Sequence, residues 1–172
     1  MDTETTPRDF HRIDWPNWKP EDVATLLFVF RGGEVLLIHK KRGLGAGKIN
    51  GPGGRVEAGE TVEACAIREV EEELGITPTD PTRHGQLDFQ FVSGYGLRCH
   101  VYAAAGHTGT PVETDEAVPL WTPINEIPYD RMWADDRFWL PKLFEGRDFS
   151  GRFLFDDDTM LGYELDDFVP PL

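Results

Sequence analysis

Residues 54–76 of the chain read GRVEAGETVEACAIREVEEELGI. Apolar residues recur at helical spacing in this stretch, which predicts an amphipathic helix that packs on a sheet. Thr61 has the side chain of a typical N-cap, and Gly75 is the residue type that most often follows a helix C-terminus. The helix is therefore expected to begin after Thr61 and to end before Gly75, with Cys65 on its packed side.

Three carboxylates share one face of this helix. Glu69, Glu72 and Glu73 stand three and four residues apart, so their side chains lie together. Like charges this close repel one another and weaken an isolated helix. A divalent cation against the face would offset the repulsion, and oxygen-only ligands favour Mg²⁺ or Mn²⁺ over zinc. The alternative is a solvated, charge-rich helix, which leaves the Gly-rich approach and Gly75 as coincidences.

The spacing of Gly54, Glu60 and residues 68–76 (REVEEELGI) resembles the box of the Nudix hydrolases. The resemblance implies an α+β fold, the Nudix fold, in which a mixed β-sheet is sandwiched between α-helices. It also implies that Arg68 orients a box glutamate and that Glu60 gives similar support. The implied metal ligands are the Gly53 carbonyl, Glu69, Glu72 and Glu73. Glu116 is a further candidate ligand or base, and the choice of base among the glutamates stays open.

Four segments outside the box resemble the oxidised purine nucleoside triphosphatases (8-oxo-dGTP diphosphatases) of the MutT group. They are residues 40–54 (KKRGLGAGKINGPGG), 109–116 (GTPVETDE), 132–139 (MWADDRFW) and the tail GRFLF…LGYEL. The resemblance spans roughly residues 23–165, and several of these segments lie in predicted loops, where sequence constraint tends to reflect ligands. It implies a pocket for a purine base.

In the implied pocket, Asn50 hydrogen-bonds one edge of the purine and the pair Asp135 and Asp136 reads the opposite edge. Two adjacent carboxyl groups in an apolar pocket do not both ionise cheaply, so one would stay protonated and donate a hydrogen bond. Trp133 would stack on the base. The other implied contacts are Thr25, Lys40, Leu44, Phe89, Phe91, Leu97 and Trp139.

Each pocket residue also has a purely structural interpretation. The two aspartates could cap the second helix, and Trp133 could be a packing anchor. The remaining alternatives are core positions for Phe89 and Phe91, a solvated strand-end charge for Lys40, a turn residue for Asn50 and an exposed loop carboxylate for Glu116.

The chain departs from this pattern at four places. Leu44 and Ile49 stand where the mammalian-type enzymes carry aromatic residues, which removes part of the expected stacking surface. Tyr95 is a new candidate for the pocket rim, in a shorter loop. An N-terminal arm with Trp15 and Trp18 has no counterpart in the family pattern. It is expected to lack regular structure and is a candidate cap for the pocket.

The remaining strands and the second helix follow from hydrophobic patterning. Residues 23–30 form a near-continuous apolar run, which predicts a buried strand, and residues 35–39 are its expected hairpin partner. Further strands are predicted at 87–92 and 97–105, with a closing hairpin at 149–155 and 160–165. A helix is expected at 135–145, interrupted or begun near Pro141.

Composition limits the partners. The formal charge of −14 disfavours polymeric nucleic acid and anionic membrane surfaces, but it permits a small nucleotide that carries a metal ion. No apolar run is long enough for a membrane span, and the first residues lack the pattern of a signal peptide. Two isolated cysteines make neither a zinc site nor a disulfide framework. We expect a cytoplasmic monomer with an arm at 1–22 and one domain at 23–172.

The resemblance to the oxidised purine nucleoside triphosphatases implies Mg²⁺-dependent hydrolysis, with Mn²⁺ as a possible substitute, of 8-oxo-dGTP and 2-hydroxy-dATP to the monophosphate and pyrophosphate. The first alternative is a Nudix enzyme for a dinucleoside polyphosphate or a nucleotide sugar. The second is a catalytically silent module that senses nucleotides. The second would usually have lost box glutamates, and this chain keeps them.

Overall fold

The structure, a computed structural model, describes residues 6–172. In that range the chain forms eleven strands, two α-helices and three short 3-10 helices (Phe10–Arg12, Trp15–Asn17 and Tyr129–Arg131). The strands are β1 (Asp22–Arg31), β2 (Glu34–Lys40), β3 (Ile49–Asn50), β4 (Gly53–Arg55), β5 (Thr77–Thr79), β6 (Thr82–Phe91), β7 (Gly96–Ala104), β8 (Gly106–Thr108), β9 (Ala117–Pro123), β10 (Phe149–Asp156) and β11 (Thr159–Asp166). The helices are α1 (Val62–Leu74) and α2 (Asp136–Phe144).

The main sheet is mixed. Its strands follow the order β11–β10–β6–β7–β1, with β1 parallel to β7 and β10 parallel to β6. The short strand β4 pairs with the other edge of β1. A hairpin at the end of β1 leads into β2, which pairs with β3 and with β9. Strands β5 and β8 form a separate ribbon.

The two α-helices cover opposite faces of the sheet. Side chains of α1 pack with one face of β1 and β2 in a core that contains Leu27, Val29 and Val70. Trp139 and Leu140 of α2 belong to a second core with Phe28 on the opposite face of β1. This arrangement confirms the predicted fold class, a mixed sheet between helices.

Helix α1 has the bounds that the local sequence predicts. The Thr61 hydroxyl accepts a hydrogen bond from the Ala64 N–H at 3.1 Å, and Gly75 ends the helix with φ +73°. The left-handed conformation at Gly75 carries little cost without a Cβ atom. Cys65 is fully buried on the packed side of the helix.

Three parts of the fold differ from the sequence predictions. Helix α2 neither begins nor breaks at Pro141, because burial of Trp139, Leu140 and Leu143 offsets the hydrogen bond that proline does not donate. Strand β9 and the short strands β3, β4, β5 and β8 were not predicted. The arm, expected to lack regular structure, contains two 3-10 turns. Within residues 6–172, neither helix is long and apolar enough to cross a membrane.

Candidate active site

Three carboxylates from two parts of the chain converge beside β4. Glu69 and Glu73 project from α1, and Glu116 comes from the loop before β9. One oxygen of each lies within 4.8 Å of the others. The donors are all oxygen atoms, the type that a hard divalent cation such as Mg²⁺ or Mn²⁺ requires. The residues present therefore fit a divalent-cation site.

The loop that carries Glu116 is fastened to α1 and to the Gly-rich loop. The Thr114 hydroxyl donates to the Glu73 carbonyl at 2.7 Å and accepts from the Glu116 N–H at 3.2 Å. The Arg42 guanidinium donates to the Glu116 carboxylate at 2.9 Å. Glu116 is thus an ordered, partly buried residue, unlike a freely solvated loop carboxylate.

Arg68 connects the other box glutamates. Its guanidinium donates two hydrogen bonds to Glu60, at 2.6 and 2.9 Å, and a third to Glu69 at 2.9 Å. It also donates to Glu72 at 3.2 Å. The Glu72 side chain is half-exposed and is not among the three that converge. Because the planar guanidinium of Arg68 donates several hydrogen bonds at once, it fixes the rotamer of Glu69.

Gly53 and Gly54 allow β4 to approach both β1 and the carboxylates. A Cβ atom on Gly54 would lie 2.3 Å from the Glu69 carboxyl carbon, and one on Gly53 would lie 1.8 Å from the Thr25 carbonyl oxygen. The Gly53 N–H donates to the Glu73 carboxylate at 2.9 Å. No larger residue fits either position without displacing a site group.

Burial shifts the acidity of the cluster. Desolvation raises the pKa of Glu73 to about 8, although the Gly53 N–H and the charge of Lys40 act in the opposite direction. Desolvation also raises the pKa of Glu69, partly offset by Arg68. The protein therefore provides too little positive charge to balance the ionised carboxylates. A bound divalent cation would supply that charge.

A cavity of about 310 Å³ lies between β1, β6, β7 and the segment that leads into α2. Gly53 and Gly54, which adjoin Glu73 and Glu69, line the cavity, so it ends next to the carboxylate cluster. The eleven side chains expected from the sequence to contact the substrate all line it: Thr25, Lys40, Leu44, Asn50, Phe89, Phe91, Leu97, Trp133, Asp135, Asp136 and Trp139.

Buried polar atoms belong to three of the side chains that line this cavity. Asp135 and Asp136 are almost fully buried, and the Trp139 indole N–H donates to Asp135 Oδ2 at 2.7 Å. Asp135 Oδ1 and Asn50 Nδ2 are buried and have no hydrogen-bond partner among the described residues. The Asp135 side chain makes no capping bond to α2. These unpaired atoms are available to a ligand, because buried polar groups normally find partners.

Burial raises the pKa values of both aspartates, and each carboxyl group affects the ionisation of the other. Desolvation raises the pKa of Asp135 to about 6, and it raises the pKa of Asp136 well above the ordinary value, with repulsion from Asp135 as the next cause. One proton is therefore retained between the two carboxyl groups near neutral pH. The pair presents both a hydrogen-bond donor and an acceptor to the cavity.

Aromatic rings form the walls. Trp133 packs edge-on against Phe91, with 6.3 Å between ring centroids, and against Phe155 at 5.6 Å. Phe89 stacks on Phe153 at 5.1 Å while it also lines the cavity. Core packing and cavity lining are thus combined in the same residues.

The remaining predicted residues lie near the mouth or behind the walls. Lys40 lines the cavity close enough to act on the charge of Glu73. The Thr25 hydroxyl lies 3.5 Å from the Cys65 sulfur, so it already has a partner. Leu44 is 45% exposed at the mouth, whereas Ile49 is buried in the core and does not line the cavity.

Three further residues that line the cavity lie on β1 and were not predicted from the sequence, namely Ala24, Leu26 and Phe28. They alternate along the strand, so the two-residue period of a β-strand could have identified them as one face. Tyr95, suggested as a rim residue, does line the cavity. Among residues 6–21 of the arm, none does, so the arm does not cap the cavity directly.

Known proteins share most of this architecture. The NUDIX domain model matches residues 20–143. An oxidized purine nucleoside triphosphate hydrolase of Danio rerio is 42% identical over 147 residues, which cover 84% of this chain and 94% of the relative. The protein of that name from Mus musculus is 42% identical over 143 residues. A crystal structure of a MutT mutator protein from Bacillus halodurans superposes with a TM-score of 0.77 at 28% identity, covering 84% of this chain and 97% of the other. As the box had predicted, the chain belongs to the Nudix family.

Proposed function

We propose that this protein hydrolyses oxidised purine nucleoside triphosphates, with 8-oxo-dGTP and 2-hydroxy-dATP as substrates, to the monophosphate and pyrophosphate. Two relatives that are 42% identical over more than four fifths of the chain carry that activity in their names. The observation that carries the proposal is the pair of unpaired buried atoms, Asn50 Nδ2 and Asp135 Oδ1, in an aromatic cavity that adjoins the carboxylate cluster.

Recognition of the base follows from the polar groups of the cavity. Asn50 offers a donor to one edge of a purine, and the aspartate pair offers one donor and one acceptor to another edge. Because the shared proton can reside on Asp135 or on Asp136, the pair can match two oxidised purines that differ in their donor patterns. Trp133 is the ring on which the base stacks, and Phe89 and Phe91 exclude water from it.

The reactive end of the substrate lies at the carboxylate cluster in this proposal. Nudix hydrolases generally use a divalent cation, and we propose Mg²⁺ here, held by Glu69, Glu73 and Glu116, with the Gly53 carbonyl and Glu72 as further candidate ligands. The cation would neutralise phosphate oxygens and lower the pKa of an attacking water molecule.

Protein groups contribute the rest of the chemistry. Arg68 holds the Glu69 carboxylate in place through its bond at 2.9 Å. Lys40 supplies a positive charge between the cavity and the cluster, where it offsets negative charge on the phosphates. The loop at Thr114 fixes Glu116 relative to Glu73. The net charge of −14 favours free nucleotides bound with a cation over polymeric nucleic acid.

The test is pyrophosphate release with Mg²⁺ across 8-oxo-dGTP, 2-hydroxy-dATP, dGTP, dATP, diadenosine tetraphosphate and ADP-ribose. We expect kcat/KM for an oxidised triphosphate to exceed that for its normal parent by more than about tenfold, the value of one well-placed hydrogen bond. Hydrolysis without such selectivity would contradict the base assignment. Absence of hydrolysis with any substrate would support a nucleotide-sensing module instead.

A further inference from the structure

The arm packs along the edge of the cavity wall without entering the cavity. Phe10 is buried against β11, where a Cβ atom on Gly162 would lie 2.5 Å from it. Trp15 lies between Phe10 and Trp18, with ring centroids 5.4 and 5.8 Å away. This row of rings ends at the turn between β6 and β7, which carries Tyr95.

The side-chain amide of Gln90 joins Trp18 of the arm to that turn. The Trp18 indole N–H donates to Gln90 Oε1 at 2.7 Å. The Gln90 amide nitrogen in turn donates to the carbonyls of Phe91 and Tyr95, at 2.8 and 3.2 Å. The Gln90 side chain therefore transmits the position of Trp18 to the backbone on both sides of the turn.

A second contact holds the ring of Tyr95 itself. Its hydroxyl donates to Asp22 Oδ2 at 2.8 Å, and the adjacent Glu21 N–H donates to the Gly96 carbonyl at 2.9 Å. Burial and the bond to Asp22 raise the pKa of Tyr95 to about 12, so the phenol stays protonated as the donor. The ring lines the cavity, 6.0 Å from the Phe91 ring. A flexible turn would not hold an aromatic wall, but this turn is fastened at both its backbone and its side chain.

We propose that Tyr95 contacts the base of the bound nucleotide as a specificity-determining residue, and that Trp18 and Gln90 are positioning residues for it. The inference rests on the proposed function of the cavity, and it assigns the arm to substrate selection. Trp18 acts on the substrate through Tyr95 and not by contact, since the arm residues that the structure describes do not line the cavity.

The test is calorimetric titration of the intact protein with 8-oxo-dGMP and with dGMP in EDTA, which isolates the base pocket from the metal chemistry. Tyr95→Ala should weaken the binding of 8-oxo-dGMP about tenfold, because one aromatic contact with the base is lost. Tyr95→Phe, which keeps the ring but loses the bond to Asp22, should weaken it about threefold. In steady-state kinetics over a range of triphosphate concentrations, Tyr95→Ala should raise KM and leave kcat unchanged.

A matched pair of variants, Trp18→Phe and Trp15→Phe, tests the positioning role of Trp18. Trp18→Phe removes the bond to Gln90 and should weaken binding about threefold. Trp15→Phe removes only a bond within the arm, from its indole N–H to the Phe10 carbonyl, and should bind as the unmodified protein does. In a Tyr95→Ala background, Trp18→Phe should cause no further loss.

Three results would overturn the inference. They are unchanged affinity in Tyr95→Ala, a fall in kcat without a rise in KM, and an equal Trp18→Phe loss in both backgrounds. Thermal unfolding verifies that each variant is folded, and Tyr95→Phe supplies the comparison if Tyr95→Ala is not. Failure of the proposed function has a different signature, because the unmodified protein would then bind 8-oxo-dGMP no better than dGMP. In that case, comparison of the dGMP affinity of each variant with that of the unmodified protein would still decide the role of Tyr95.

Discussion

Replacement of Glu73 by glutamine should abolish hydrolysis and yet stabilise the metal-free protein as the pH rises. Glu73 is 3% exposed, and burial raises its pKa from 4.5 to about 8. In the unfolded chain the carboxyl group ionises near its ordinary pKa, so folding takes up a proton between the two values. The stability associated with protonated Glu73 is therefore complete below about pH 4.5 and is lost as the pH rises through about 8.

The size of the effect follows from the same two values. Each pKa unit corresponds to about 1.4 kcal/mol, so the destabilisation reaches about 3 kcal/mol at pH 7 and about 5 kcal/mol above pH 8. Glutamine does not titrate, and the penalty should vanish in Glu73→Gln. The free energy of unfolding of the variant, minus that of the unmodified protein, should thus increase steadily between pH 5 and pH 8.

The assay is urea unfolding in EDTA at pH 5, 7 and 9. The control is Glu71→Gln, which removes an exposed carboxylate from the same helix and should follow the unmodified protein at each pH. Added Mg²⁺ should stabilise the unmodified protein more than Glu73→Gln, because the ion binds the folded carboxylate cluster. A free-energy difference between variant and unmodified protein that stays constant with pH would refute the argument from burial.

Three further predictions concern the base pocket, β4 and β7. Asp136→Asn should change the ratio of kcat/KM for 8-oxo-dGTP and 2-hydroxy-dATP by about tenfold, because it fixes a donor where a proton is now shared; equal losses for both substrates would indicate a structural role. Gly54→Ala should displace the Glu69 carboxylate and weaken Mn²⁺ binding about 10- to 100-fold by calorimetry, and unchanged binding would contradict the packing argument. Burial lowers the pKa of His100 to about 4, so the neutral ring contributes stability above about pH 6.5 that is lost as the pH falls to 4. In urea unfolding, His100→Gln should remove up to about 3 kcal/mol of that acid sensitivity, and an unchanged pH profile would exclude the histidine as its source.

Local signals account for the parts of the fold that the sequence predicted well. Helix α1 has its cap at Thr61 and its stop at Gly75 within the chain itself, and β1 is a continuous apolar run. Strand β9 contains two prolines and no simple alternation, and it exists because it pairs with β2 over seven residues. Such long-range pairing leaves little trace in the local sequence.

The candidate site also has features that were evident in the sequence and features that depend on tertiary structure. The helical spacing of Glu69, Glu72 and Glu73 was evident in the sequence, but their rotamers were not. Glu72 bonds Arg68 and lies outside the converging set, and Glu116 joins the set from 43 residues beyond Glu73. The bond from Trp18 to Gln90 spans 72 residues and depends wholly on tertiary structure.

The two halves of the site lie on opposite sides of the sheet. Helix α1 supplies two of the three converging carboxylates, whereas α2, β6 and β7 supply much of the cavity wall, and they adjoin at Gly53 and Gly54. A substitution in the wall of the cavity therefore need not disturb the carboxylates. Such a partition allows base preference to diverge by mutation while the hydrolytic step is retained, and it makes the α2 face the place to begin directed evolution toward other nucleobases.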